Sequence, residues 1–316
     1  MIKHHKHNQI DSEKWDQCIN ESAFGNIFCT YWYLSIIHPD WEALIFEQDK
    51  KYKLAIPLLH TRRGAFNLHR TPILAQRLGI FAYNLEIADY IYAFLVYVKK
   101  KYSVFHYPLD LKMVLKDKQM HLEKLPNYFL DLNSSYSDLF AAYRRDRKAR
   151  LKKAKSFELH VEFTGRPDIL LKLLKENVAA NISGGIGSRT LSQINQLISE
   201  SVQQKTGFVA MVTNEKNNPL SAAFFIKYKN RLTYLFAANN KEGKHKNANT
   251  LLLDSVINNY SSSPIILDFE GSSVKGIADF YVGFGAKREY YYKLIYESAL
   301  ASTFLKFRRM QLSLGR

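Results

Sequence analysis

Cysteine is scarce in this chain. Its 316 residues hold only Cys18 and Cys29, both near the N-terminus and joined by no pairing motif. That excludes a disulfide-stapled scaffold and a paired-cysteine zinc site, and a reducing, cytoplasmic setting is expected. Long apolar runs are also missing. The longest, Tyr90 to Val98, falls far short of the roughly 20 residues that span a bilayer. The first residues, MIKHHKHNQIDSEKWD, lack the apolar core of a secretory leader. Acids are outnumbered, 29 Asp and Glu against 45 Lys and Arg, for a net charge of +16. The imbalance favours a polyanionic partner: nucleic acid, a phosphate-rich cofactor, a nucleotide-linked substrate or an anionic membrane face. There is no Ser–His–Asp order. The loop ISGGIGSRT (Ile182 to Thr190) is neither a Walker nor a dinucleotide fingerprint. It reads as a mobile loop over a site, with Arg189 able to meet an anion. His4, His5 and His7 resemble a metal tract but lie in a terminus expected to fray, and no metal is expected.

Apolar and aromatic residues are plentiful, at 47% and 14%. This length and composition suit two medium domains or one large one. In the first half, helices are expected over Asp11–Asn20, Asn26–Ile37 and Leu85–Tyr102. Strands are expected over Trp41–Phe46, Lys53–Leu59 and Val104–Tyr107, with two more in Met113–Leu132 broken by Pro126. In the second half, Ser135–Lys155 reads as one long helix, Glu158–Phe163 as a strand and Pro167–Asn181 as a helix. A helix over Leu191–Gln204 precedes three strands, Gly207–Thr213, Ser221–Lys227 and Arg231–Ala238. Then come a helix (Asn249–Tyr260), a strand (Ile265–Phe269), a short helix (Val274–Val282), a strand (Tyr290–Tyr296) and a basic helix (Ala299–Leu312).

Chemistry concentrates between Arg231 and Gly285, where an apolar strand, a polar loop, a helix and a second strand follow one another. In the loop Asn239–Thr250, Gly243 is read as taking a backbone conformation closed to other residues, and Asn249 as the N-cap of the helix. Free N–H groups at a helix start bind phosphate or a developing oxyanion, and Lys241, Lys244, His245 and Lys246 add charge there. An ordinary solvated loop fits the same residues. In Asp268–Phe269–Glu270–Gly271–Ser272 the two acids alternate, so both are expected on one face at the edge of a core. There they could hold an acceptor amine or take its proton; a capped strand end is the plain alternative. In GIADFYVGFG (Gly276 to Gly285) the apolar stripe is core, but the Tyr281 hydroxyl could protonate a leaving group. Eight basic residues and one acid crowd YRRDRKARLKKAK (Tyr143 to Lys155), more than solubility asks.

Four passages in order, IFCTYWYL, RRDRKARLKKAK, LFAANNKEGKHKNANTLLLDSVI and DFEGSSVKGIADFYVGFGA, resemble the GNAT acyltransferase superfamily. More narrowly they resemble the Fem-type peptidoglycan aminoacyltransferases and related tandem-GNAT proteins. The resemblance implies an α+β chain of two tandem GNAT-like domains, each a mixed, mostly antiparallel sheet flanked by helices. Their expected extents are residues 1–133 and 134–298, with a basic helix at 299–316 packing back on the first. It implies attack by an amine on a thioester or an aminoacyl ester, with acyl-CoA or aminoacyl-tRNA as co-substrate. Asp268, Glu270 and Tyr281 would be catalytic. Phe236, Ala237, Gly243, Lys244, Asn247, Ala248, Asn249 and Thr250 would hold the donor. Trp32, Tyr33, Arg144, Arg147 and Arg189 would meet the acceptor or phosphates. The usual acyl-CoA loop is Gln/Arg-x-x-Gly-x-Gly/Ala; here Lys244 to Asn249 carries no such glycines.

The leading expectation is thus an acyl- or aminoacyl-transferase acting on an amine, such as that of a cell-envelope precursor. The alternative is a non-catalytic binder of nucleic acid or anionic lipid, using the basic helix and Lys306, Arg308 and Arg309.

Overall fold

Pro126 does not break a strand. In the computed structural model, which describes residues 2–83, 86–113, 115, 117–177, 186–271 and 274–305, it lies inside one continuous strand. The contacts divide the chain into two units, Met1–Leu125 with Tyr290–Arg316, and Pro126–Glu289.

The first unit opens with β1 (Lys3–Lys6) and α1 (Ser12–Glu21). Asp11 caps α1, its Oδ1 accepting from the N–H groups of Glu13 and Lys14 at 3.1 Å. The expected helix over Asn26–Ile37 is two pieces. A single tight turn at Ile27–Cys29 ends at the extended Thr30, and α2 covers Tyr31–Ile37. Then follow β2 (Glu42–Gln48), β3 (Lys51–Leu58), β4 (His60–Arg63), β5 (Phe66–His69), β6 (Phe81–Ala82), α3 (Ala88–Lys101) and β7 (Val104–Leu109). One sheet runs β1-β2-β3-β6, all antiparallel. Strands β4, β5 and β7 form another ladder, antiparallel then parallel. Gly64, with φ +60°, makes the two-residue turn between β4 and β5, a conformation that glycine adopts without a Cβ clash.

The long strand β8 (Met120–Asp131) carries the chain into the second unit. There α4 (Tyr136–Ala141) and α5 (Arg145–Lys155) replace the single long helix of the sequence reading. The break needs no proline or glycine. Arg144 is extended, its N–H donates to the Gly283 carbonyl at 3.0 Å, and the Tyr143 hydroxyl donates to buried Asp254 at 3.2 Å. Tertiary partners therefore redirect the backbone. Next come β9 (His160–Thr164), α6 (Pro167–Asn177), α7 (Ser188–Gln203), β10 (Gly207–Thr213), β11 (Pro219–Tyr228), β12 (Arg231–Asn239), a short α8 (Lys241–His245) and α9 (Ala248–Tyr260). After β13 (Ile266–Asp268) and α10 (Lys275–Val282), β14 (Lys287–Glu297) returns the chain to the first unit, where its end pairs with β7.

Strands β9 to β12 pair antiparallel in chain order, β12 pairs parallel with β13, and β13 pairs antiparallel with Phe129–Asp131 of β8. Buried residues run unbroken from Leu220 to Ile226 on β11, the mark of a strand covered on both faces. Helix α9 is buried on nearly every side, through Ala248, Leu251, Leu252, Leu253, Val256 and Ile257. It packs with Phe225, Leu232, Leu267 and Phe284 into one core. Among the described residues no helix is long and apolar enough to cross a membrane, and no His, Cys, Asp and Glu cluster could hold a metal ion. Cys18 and Cys29 are free and buried. Ile182–Gly185 of the predicted mobile loop, Ser272, and Lys306, Arg308 and Arg309 of the predicted basic helix lie outside the described residues.

Candidate active site

The parallel pair β12–β13 is short. Arg231, Thr233 and the residue between them face Ile266 to Asp268, and the ladder ends there while β12 runs on to Asn239. Just past that point β12 bulges: Phe225 opposes Tyr234 and Phe224 opposes Phe236, so Leu235 has no opposite number. A bulge sharpens the local twist, and here it accompanies the parting of the two strands. A cavity of about 510 Å³ occupies the parting, within the range of small-molecule sites.

Its floor is β12, through Tyr234, Leu235, Ala237 and Asn239. One wall is the α8–α9 segment, with Gly243, Lys244, Asn247, Asn249 and Thr250, joined by Arg150 of α5. Phe269, Glu270 and Gly271 make the other wall, and α10 covers it with Gly276, Ile277, Phe280 and Tyr281. Lys244 and Arg150 are exposed and make no ion pair among the described residues, which leaves two cations free for an anionic ligand.

The α8–α9 wall differs from the open loop of the sequence reading. Asn240 starts α8, its Oδ1 accepting from Gly243 N–H at 2.7 Å and its Nδ2 donating to the Pro219 carbonyl at 3.0 Å. Gly243 is not in the left-handed region. It is glycine because a Cβ there would lie 2.3 Å from the Leu220 carbonyl oxygen. Asn249 is not the N-cap of α9. That place belongs to Asn247, in the left-handed region at φ +55°, with no side-chain cap bond. Asn249 lies one residue inside the helix, its amide paired with the Tyr234 hydroxyl at 3.1–3.2 Å. At the start of α9 the Thr250 N–H donates to the Asn247 carbonyl at 2.9 Å, and the N–H groups of Ala248 and Asn249 have no acceptor within α9.

The acidic strand end separates into two roles. Asp268 is 1% exposed and does not line the cavity. Its carboxylate takes Arg231 at 2.6 Å, the Asn127 amide at 3.0 Å and the Glu270 N–H at 2.9 Å. Arg231 and Asn127 also reach Glu289, at 3.0 and 2.7 Å. Glu270 has φ +59°, which ends the alternation expected of two acids on one strand and directs Glu270 to the cavity wall. Tyr281 stacks on Phe269 at 4.8 Å and meets Tyr234 edge-on at 6.3 Å. Burial first, then neighbouring Tyr234 and the two acids, push its phenol well above the usual range, so it stays protonated at neutral pH.

Of the remaining predicted donor residues, Phe236 stacks on Phe224 instead of lining the cavity, and Ala248 is wholly buried. Arg147 is buried, 3% exposed, beneath the site. It donates to Thr250 Oγ1 at 3.1 Å and to the Phe280 carbonyl at 3.3 Å, with its guanidinium over the Phe280 and Phe284 rings. Burial pulls it down to about 10. Arg144 is exposed and pairs with Asp146 at 3.1 Å, and Arg189 is exposed on α7; neither lines the cavity. Trp32 and Tyr33 belong to the first unit. Tyr33 is fully buried, its hydroxyl donating to the Leu74 carbonyl at 2.6 Å with the Trp32 ring against it. Sequence reasoning missed Arg150, Tyr234 and Phe269 as cavity residues. The helical spacing of Arg150 from Arg147 was the available signal for the first.

No family model matches this chain, and no curated protein matches it in sequence. Solved structures do match in fold. FemX is 12% identical at a TM-score of 0.63, over 90% of this chain and 96% of its own. A tandem GNAT protein from the clavulanic acid biosynthesis pathway is 12% identical at 0.55, over 93% and 98%. L-PGS from Bacillus licheniformis is 12% identical at 0.55, over 95% and 96%. The chain has the tandem GNAT-like fold shared by these proteins, with mixed, mostly antiparallel sheets flanked by helices.

Proposed function

We propose that the cavity of the second unit is the transfer site of an acyl- or aminoacyl-transferase that modifies an amine. The observation that carries the reading is the parting of β12 and β13 after Thr233 and Asp268, with Glu270 and Tyr281 on the cavity it opens. A strand edge that loses its ladder partner can take an extended ligand arm by backbone hydrogen bonds. The solved structures of similar fold include FemX and a tandem GNAT protein, which supports acyl or aminoacyl transfer as the class.

The donor's carbonyl rests on the β12 edge, where a backbone N–H stabilises the developing oxyanion. The acceptor nitrogen attacks the carbonyl carbon. As the C–N bond forms, the Glu270 carboxylate takes the ammonium proton. As the C–S bond of a thioester or the C–O bond of an aminoacyl ester breaks, the electron pair leaves on sulfur or oxygen, and the Tyr281 hydroxyl supplies its proton. Lys244, Arg150 and the start of α9 hold the donor's phosphates. Acyl-CoA and aminoacyl-tRNA both meet these requirements. A cytoplasmic setting belongs to this reading, since both cysteines are free.

Titration calorimetry with acetyl-CoA and with charged tRNA tests the proposal. One of the two binds, and Asn249→Leu weakens it; binding of neither contradicts the reading. The second reading, a non-catalytic polyanion binder, draws on the exposed cations of α5. Salt-steep binding of random RNA and DNA alike, without turnover, would favour it.

A further inference from the structure

The first unit holds an apolar cavity of its own, of about 320 Å³. Phe66, Leu68 and Val104 form one side, and Ala301, Phe304 and Leu305 the other. Arg63 and Arg70 stand exposed on its rim and have no acidic partner among the described residues. None is near in sequence: between Asp49 and Glu86 the chain holds no acid at all. The helical residues 299–305 are apolar on two faces. Ala301 and Leu305 turn inward to Leu68 and Val104. Leu300 and Phe304 turn outward, 80% and 52% exposed, with the Phe304 ring also against Phe66 at 5.7 Å.

We infer that this face docks the protein on an anionic phospholipid bilayer. Phe304 and Leu300 enter the interface, the cavity behind them takes part of an acyl chain, and Arg63 and Arg70 meet lipid phosphates. The charge pattern selects this occupant. Arginine forks match phosphate oxygens, and unpaired arginines beside an apolar surface that opens to solvent suit an interface with a negative plane above hydrocarbon. A protein partner with an apolar ridge would not account for the acid-free stretch around the rim. The inference does not rest on the transferase reading.

The experiment is co-sedimentation of the full chain with vesicles of phosphatidylcholine alone and of phosphatidylcholine with phosphatidylglycerol. The chain binds the anionic vesicles at least about tenfold more tightly, as juxtamembrane cations require. Leu300→Asp alone, at the most exposed position, weakens binding at every salt concentration, and Leu300→Asp with Phe304→Asp abolishes it. Arg63→Glu with Arg70→Glu removes the preference for phosphatidylglycerol. Circular dichroism confirms that each variant is folded before it is scored. Equal binding to both vesicle types overturns the inference, as does undiminished binding by the folded Leu300→Asp and Phe304→Asp chain. Wild-type binding that 0.5 M salt erases entirely, at about the same rate for variant and parent, marks a purely electrostatic attraction and also overturns it.

Discussion

The guanidinium of Arg147 donates to Thr250 Oγ1 at 3.1 Å from beneath the start of α9. That bond occupies an acceptor lone pair of the hydroxyl and leaves its O–H to donate elsewhere, and Thr250 lines the cavity. A buried cation beside the positive end of a helix is costly unless an anion joins it. The donor's phosphate is that anion in the proposed complex.

Replacing Arg147 with Met therefore separates binding from stability. Donor affinity falls about tenfold, the worth of one charge-assisted hydrogen bond. The unfolding temperature stays level or rises, because an uncompensated buried charge has gone. Calorimetry and thermal unfolding check the two halves. Unchanged affinity would remove Arg147 from the account.

Gly243→Ala tests the packing reason for that glycine. The added Cβ would meet a backbone carbonyl 2.3 Å away, which no side-chain rotation relieves. Overpacking of this kind costs about 1–3 kcal/mol. A denaturant melt that shows no loss would contradict the close approach of α8 to Leu220.

Asp268 and Glu270 are two residues apart and are expected to fail differently. Asp268→Ala removes one partner each from Asn127 and Arg231, which both still reach Glu289, and takes away the acceptor of the Glu270 N–H. Its cost is about 2–3 kcal/mol of stability, below that of a fully buried pair because Arg231 is partly exposed. Glu270→Gln leaves stability within about 0.5 kcal/mol and lowers kcat. The reverse pattern would exchange their roles.

This division also marks how far the sequence could be read. The antiparallel run Gly207–Asn239 was legible from its three apolar runs, Gly207–Thr213, Ser221–Lys227 and Arg231–Ala238. Helix α3 was legible from its Lys99–Lys101 tail and α6 from Pro167 at its first turn. The α4–α5 break was not, because it is made by Asp254 and Gly283, more than a hundred residues away. Nor did a period-two rule reveal that Glu270 leaves the strand, because a left-handed backbone at a glutamate follows from the Asp268 hydrogen bond to its N–H. The cavity itself was legible as an order of elements, whereas the roles of Asn247, Asn249 and Gly243 depended on where α8 forms.

His69 sets an acid limb on stability. It is fully buried among Tyr102, Phe105 and Tyr107, with Nδ1 at 3.1 Å from the His106 carbonyl. Burial pulls its pKa down to about 3. The unfolded chain takes up this proton near pH 6.5 and the folded chain does not. The contribution is thus fully present above about pH 6.5 and is lost as pH falls from there toward 3. His69→Phe should flatten stability between pH 6.5 and 4 in urea melts. An unchanged slope would place the acid sensitivity elsewhere.

The central claim is that Tyr281 gives its proton to the leaving group inside the β12–β13 cavity. Its most direct test is single-turnover kinetics of Tyr281→Phe beside donor titration of the same variant. The rate of transfer falls by about 10²–10⁴ while donor Kd changes less than about threefold. A variant that transfers at the wild-type rate, or that loses donor binding and turnover in equal measure, would contradict it.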